Sequence, residues 1–235
     1  MKIEGKKAVV FGGTSGIGLA TVQKLAELGA SVVAVSRNPD RARSEAPKGV
    51  TLRSCDVRDA AAMSTLLKEL APFDILVCAA TGGERAVGPF LSMDIDGYKR
   101  SFDKLWGYAN CVRFGAEHLS KDGAIVLVSG APARRCKPGQ IALASVGGAV
   151  EAFARSLAPE IAPRRINVVS PGIINTPMMG PAGPERDALA DKRSAGHIIP
   201  RAGTADEVAQ AILFVIQNDF VTGTIVDVDG GWLLS

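Results

Sequence analysis

The chain is 235 residues long, with 27 lysines and arginines against 24 aspartates and glutamates and a formal net charge of +3. With 47% apolar and 22% charged residues it has the balance of a globular protein, and no basic run exceeds the pairs Arg134-Arg135 and Arg164-Arg165, which argues against a nucleic-acid partner. Uninterrupted apolar runs such as residues 8 to 11 and 75 to 80 are too short to span a bilayer and the first residues lack the form of a secretory signal, so cytoplasmic residence away from membranes is expected.

In chain order, apolar runs at 7–11, 31–35, 51–54, 74–78, 124–129, 166–169 and 225–228 read as strands, separated by helical patterns at 18–28, 39–46, 59–70, 98–119, 140–161 and 206–217. Continuous apolar strands alternating with helices predict a parallel sheet covered on both faces, a doubly wound Rossmann-type α/β fold of about seven strands. Boundary signals agree: Asn38 before Pro39, Asp59 before an alanine run, and Thr204 with Glu207 as a capping box. Nothing resembling a linker divides the chain, so residues 1–235 are expected to form a single dinucleotide-binding domain. The stretch 171–203 carries Pro171, Pro177, Pro181, Pro184 and Pro200 and reads as one long irregular excursion, its part from about 177 to 203 a substrate lid rather than a disordered loop. Cys55, Cys78, Cys111 and Cys136 show no metal-ligand spacing, and His118 and His197 lie far apart, so no metal site is expected.

The first strand runs directly into Gly12-Gly13-Thr14-Ser15-Gly16-Ile17-Gly18, whose glycines can bring backbone N–H groups and a positive helix end against a pyrophosphate. This spacing resembles the form found in short-chain dehydrogenases. Later segments extend the resemblance in order over nearly the whole chain: Cys55-Asp56-Val57 is similar to the family's adenine contact, and Asp74-Ile75-Leu76-Val77 leads to Cys78-Ala79-Ala80-Thr81 where the family usually has Asn-Asn-Ala-Gly. Ser170-Pro171-Gly172-Ile173-Ile174-Asn175-Thr176 is similar to the segment beside the nicotinamide, and Val228-Asp229-Gly230-Gly231 to the closing one. The resemblance implies a cofactor site of Gly12, Thr14, Ser15, Gly16, Ile17, Gly18, Ser36, Arg37, Asn38, Cys55, Asp56, Val57, Ala79, Ala80, Thr81, Pro171, Gly172, Ile174 and Thr176. At the end of the second strand Ser36-Arg37-Asn38 offers a guanidinium where an acidic residue would read a free ribose 2′-hydroxyl, so NADP(H) is expected over NAD(H) unless Arg37 is merely a solvated helix-start residue.

The same resemblance implies a catalytic tyrosine, a lysine one helical turn later and an upstream serine. Aligned on the helix at 140–161, the tyrosine position falls on Leu143 and the lysine position on Gly147, while the serine position falls on Gly130, next to Ser129. No shift of register restores the pair, because the only tyrosines are Tyr98 and Tyr108 and no lysine lies between Lys137 and Lys192. The family's catalytic asparagine position falls on Lys104. Gly147 vacates the volume of a lysine stem, and Lys104 on the neighbouring helix is therefore the catalytic candidate, binding the ribose or a substrate oxygen, against the alternative of a solvated surface lysine. Weaker candidates are Ser145, Tyr108 as a packing residue, His118, His197 in the lid, and Arg134, Arg135 and Lys137 as an attractor for an anionic substrate. Met178, Met179, Ile198 and Ile199 suggest a partly apolar ligand space.

Three functions fit. One is an NADP(H)-dependent oxidoreductase with a non-standard active site, acting on a C=C, C=N or C=O of a small molecule. Another is a catalytically inactive NADP(H)-binding regulatory or partner subunit. The last is a non-redox enzyme on the same scaffold. Homo-oligomerisation, as a dimer or tetramer, is implied by the resemblance, with Gly147, Gly148 and Ala149 and the tail Trp232-Leu233-Leu234-Ser235 as contact candidates.

Overall fold

The computed structural model describes residues 1–81 and 83–235. Strands β1 (Lys7–Phe11), β2 (Ser31–Ser36), β3 (Thr51–Ser54), β4 (Phe73–Cys78), β5 (Leu119–Val128) and β6 (Arg165–Pro171) form one parallel sheet with β9 (Ile225–Val228) at its edge. The order is β3-β2-β1-β4-β5-β6-β9, so the chain winds outward from β1 in one direction and restarts at β4 in the other. That reversal opens a crevice beyond the carboxyl ends of β1 and β4, the place where ligands enter such sheets. A short parallel pair, β7 (Ile174–Asn175) with β8 (Gly203–Thr204), closes the base of the excursion between them.

Helices α1 (Gly16–Glu27) and α7 (Ala205–Gln217) cover one face, and α2 (Ala60–Leu70), α4 (Asp103–Gly115) and α5 (Ile141–Ile161) cover the other. The period of two in a strand sorts the core between them: Val9 and Phe11 of β1 pack with Met63, Cys111 and Val150, whereas Ala8 and Val10 pack with Val22, Leu25 and Ile212. Both faces of the central strands are therefore dry, which is why they read as unbroken apolar runs. By length and composition α5 could cross a bilayer, but here Val146, Val150 and Ala154 bury its inner face in the fold.

The predicted elements need four corrections. The helix expected at 39–46 is a single turn, Pro39–Ala42, because only Ala42 is buried and no apolar stripe exists to fasten a longer one. The helix expected at 98–119 divides at Phe102 into α3 (Ile95–Ser101) and α4, the Phe102 N–H reaching back to the Lys99 carbonyl in a tight turn. β5 starts at Leu119, earlier than expected, after a register shift between Phe73 and Ile75 of β4. The excursion expected to be irregular contains α6 (Pro184–Ser194), with Pro184 in its first turn, Glu185 and Asp187 near its start and Lys192 and Arg193 at its end, complementing the helix dipole. The capping box at Thr204 and Glu207 forms as predicted, and the Arg201 guanidinium beside Glu207 takes that carboxyl down to about 2.

Arg165 ties β6 to the end of α7. Its guanidinium is buried and donates to the carbonyl oxygens of Val215 at 2.7 Å, Ile216 at 2.6 Å and Val221 at 3.0 Å. Arg165→Met leaves carbonyls at a helix end without a donor, and is expected to cost about 2–4 kcal/mol in urea unfolding.

Candidate functional site

The glycine turn follows β1 because the chain must reverse against the end of β4. Gly12 adopts φ +78°, and a Cβ there would lie 2.6 Å from the Ala80 backbone nitrogen. A Cβ on Gly18 would overlap the Gly12 carbonyl oxygen. Only glycine lets the turn and helix α1 approach this closely. The resulting cleft, about 450 Å³, exposes the N-terminus of α1, where Ser15 makes no side-chain capping bond. Gly12, Thr14, Ser15, Gly16, Ile17 and Gly18 line its floor, with Cys55, Asp56 and Val57 on one side and Ala79, Ala80, Thr81 and Thr176 toward its inner end.

Ser36, Arg37 and Asn38 line the outer end, joined by Arg41, which the sequence reading did not single out. The Ser36 hydroxyl oxygen is buried, with no hydrogen-bond partner among the described residues. Neither Arg37 nor Arg41 makes a side-chain ion pair with a described residue. By contrast Asp56, which with Glu45 supplies the carboxylates lining the cleft, is held by Arg58 at 2.6 Å and lies below the usual carboxylate range chiefly because of that contact. An orphaned hydroxyl beside two unpaired guanidinium groups suits a phosphate monoester, and the glycine cradle suits a pyrophosphate. The residues present therefore fit a dinucleotide carrying a 2′-phosphate.

Pro171, Gly172 and Ile174 do not reach this cleft. They line a second cavity of about 260 Å³, which also receives Thr176. The two spaces share Ile17, Ala79, Thr81, Thr176 and Met178 as walls, so they adjoin there. Leu143, Gly147 and Gly130, the positions where the family resemblance placed tyrosine, lysine and serine, all line the second cavity. A Cβ on Gly147 would approach the Ala133 Cβ at 2.9 Å, so a side chain at this position would crowd the turn residue Ala133.

Lys104 is not a surface lysine. It is 7% exposed, donates from Nζ to the Ser129 carbonyl oxygen at 3.0 Å, and stands 5.6 Å from the centre of the Tyr108 ring. Burial, then the nearby Arg85 charge, push its pKa well below the ordinary lysine value. Tyr108 is fully buried and donates to the Val128 carbonyl at 3.2 Å; burial raises its pKa well above normal, so it acts as a hydrogen-bond donor and not as an anion. Behind Lys104, Ser129 donates to buried Glu151 at 3.1 Å, which lies 3.5 Å from Arg134. The Ser129 carbonyl that holds Lys104 is thus fixed from its own side chain.

Other candidates resolve differently. Arg134 is consumed by Asp227 and Ser170, Arg135 donates to the Trp232 carbonyl at 2.7 Å, and Lys137 sits over the Trp232 ring, so this trio is structural and lines neither space. Ser145 accepts from the Tyr98 hydroxyl at 3.0 Å, His118 lies beside Glu117, and His197 stacks on Trp232 at 5.7 Å. Of the tail offered as a contact candidate, Trp232 is buried in the protomer itself and Leu234 is exposed. Met178 and Met179 line the second cavity, while Ile198 and Ile199 face outward. Arg85, in the loop after β4, was also missed; it enters the cavity wall together with Gln140 and Arg193, likewise not singled out.

A doubly wound sheet with a glycine turn at its switch point defines the Rossmann-type α/β class. Residues 12–233 match the family model described as enoyl-(acyl carrier protein) reductase, and the chain belongs to the short-chain dehydrogenase/reductase family. It is 37% identical to galactitol 2-dehydrogenase of Rhizobium johnstonii over 98% of this chain and 96% of that one, and 35% identical to carbonyl reductase family member 4 of Danio rerio over 95% and 96%. Among solved structures, a small-chain dehydrogenase in complex with NADPH aligns with a TM-score of 0.85 at 30% identity, covering 99% of this chain and 100% of the other. A short-chain dehydrogenase from Burkholderia cenocepacia in complex with NADP aligns at 0.85 and 28% identity, over 98% and 99%.

Proposed function

We propose that the protein is an NADP(H)-dependent oxidoreductase whose proton is handled by Lys104 in place of the family's tyrosine and lysine. The observation that carries this reading is that the nucleotide cleft and the Lys104 cavity adjoin at Thr176 and Met178, which line both. The glycine turn, Ser36, Arg37 and Arg41 would hold the dinucleotide, with Thr176 at its inner end. When bound, that cofactor supplies or accepts a hydride. The chain's own part is to orient a small substrate bearing C=C, C=N or C=O in the second cavity, to exclude water, and to bring the Lys104 amine to the atom that takes the proton. An amine whose pKa is lowered by burial gives up its proton more readily than an ordinary lysine does. Residues 1–235 act as one dinucleotide-binding domain, and the segment 177–203, through Met178, Met179 and Arg193, is the lid.

The test is NADPH oxidation, followed by absorbance, against a panel of ketones, enones and imines. Turnover with one of these classes is the expected result. Tight NADPH binding with no turnover across the panel would overturn the oxidoreductase reading and leave an inactive NADP(H)-binding partner subunit.

A further inference from the structure

The second cavity has a charge pattern that hydride transfer does not require. Its wall includes Arg85, Lys104 and Arg193 and, among the described residues, no aspartate or glutamate. Several arginines elsewhere on the protein have carboxylate partners, among them Arg43 with Asp40, Arg53 with Glu69, Arg58 with Asp56, Arg134 with Asp227 and Arg201 with Glu207. Arg85 is half-buried and makes no hydrogen bond or ion pair with a described residue, and its charge presses on both Lys104 and Tyr108. A guanidinium withdrawn from water beside a second basic group is costly unless something anionic completes the set. The rest of the wall is uncharged, with Ala142, Leu143, Val146 and Met179 beside neutral polar residues such as Gln140 and Thr176, and the volume of about 260 Å³ admits only a small molecule.

We propose that this cavity binds a small substrate with an apolar body and a carboxylate, and that Arg85 is the residue that grips the carboxylate. The planar fork of a guanidinium matches the two oxygens of a carboxylate. The geometry also gives the anion a second effect. Its charge offsets the pressure of Arg85 on Lys104 and returns that amine toward its protonated form, so the substrate's carboxylate helps arm the group that hands over the proton. That the bound carboxylate is a substrate rests on the function proposed above; that the cavity binds it does not.

Hexanoate and the isosteric hexanamide serve as probes, titrated calorimetrically into the full-length protein with and without NADPH. Hexanoate is expected to bind at least tenfold more tightly than hexanamide and, at some pH below the ordinary lysine value, to draw in protons, seen as a dependence of the heat on buffer ionisation. Arg85→Gln removes the preference while NADPH affinity stays within about twofold, which reports an intact fold; Arg85→Lys restores part of it. Lys104→Met abolishes the proton uptake and keeps the preference for the carboxylate. Equal binding of the two probes, or an undiminished preference in Arg85→Gln, overturns the proposal. Failure of NADPH to bind would instead count against the proposed function, since the hexanoate titration of the free protein stands by itself.

Discussion

Replacing Arg37 and Arg41 together by alanine is expected to weaken NADPH binding about thirtyfold to a hundredfold and to leave NADH binding within about twofold. Both side chains line the outer end of the nucleotide cleft and are exposed, so each contact with a 2′-phosphate is discounted from the roughly 1.5–3 kcal/mol of a charge-assisted hydrogen bond to about 1–1.5 kcal/mol. Two such contacts sum to the stated range, since about 1.4 kcal/mol is a factor of ten. The buried Ser36 hydroxyl has no partner to lose, and it accounts for affinity that survives in the double variant. Screening makes the loss largest at low ionic strength and smaller as salt rises. Fluorescence titration of the two cofactors against wild type and variant measures the outcome. A parallel fall in NADPH and NADH affinity would mean that the arginines support the cleft and do not read the phosphate.

What the sequence could tell divides along physical lines. Central strands such as β1 and β4 are buried on both faces, so the apolar run itself marks them, and the glycine turn is legible because Gly12 and Gly18 leave no room for a side chain. Helix α6 carried its signals openly in Pro184, the acidic first turn and the basic last turn, but it buries little apolar surface and lies among prolines, so periodicity did not reveal it. The start of β5 is masked by Ser120, Lys121 and Asp122, which follow Leu119 at the sheet's rim. Arg134 was placed at the correct edge of the sheet, yet its partner Asp227 is 93 positions away and no local pattern announces it. Arg85 had no signal at all. It sits in a loop whose path over the cavity is set by tertiary packing, and a charged loop residue reads as solvated until the fold shows otherwise. Lys104 was located by the family resemblance, while its burial, which decides its chemistry, came only with the structure.

Lys104→Met is expected to lower turnover by about 10²–10⁴ and at the same time to raise stability by roughly 1–2 kcal/mol. The first figure is the usual contribution of a positioned acid or base. The second follows because the buried amine has a single hydrogen bond, to the Ser129 carbonyl, and a side chain of similar length without charge avoids most of its desolvation cost. On a chain of this size that is a rise in melting temperature of a few degrees. The pH dependence separates this from simple repacking. An unfolded lysine keeps its proton up to its ordinary pKa of 10.5, whereas folded Lys104 gives it up at a lower pH. The wild type therefore gains stability as pH rises from the lowered value toward 10.5, and the advantage of the methionine variant, full at lower pH, shrinks across that window. The rate has the opposite slope: reduction needs the ammonium form, so kcat/KM falls as pH rises through the lowered pKa, and this limb is absent in the variant. Lys104→Arg keeps the charge but does not release a proton in this range, and is expected to be as inactive as the methionine variant. Full activity in either variant, with the pH limb unmoved, would assign the proton to another group and leave Lys104 as a packing residue with an unpaid desolvation cost.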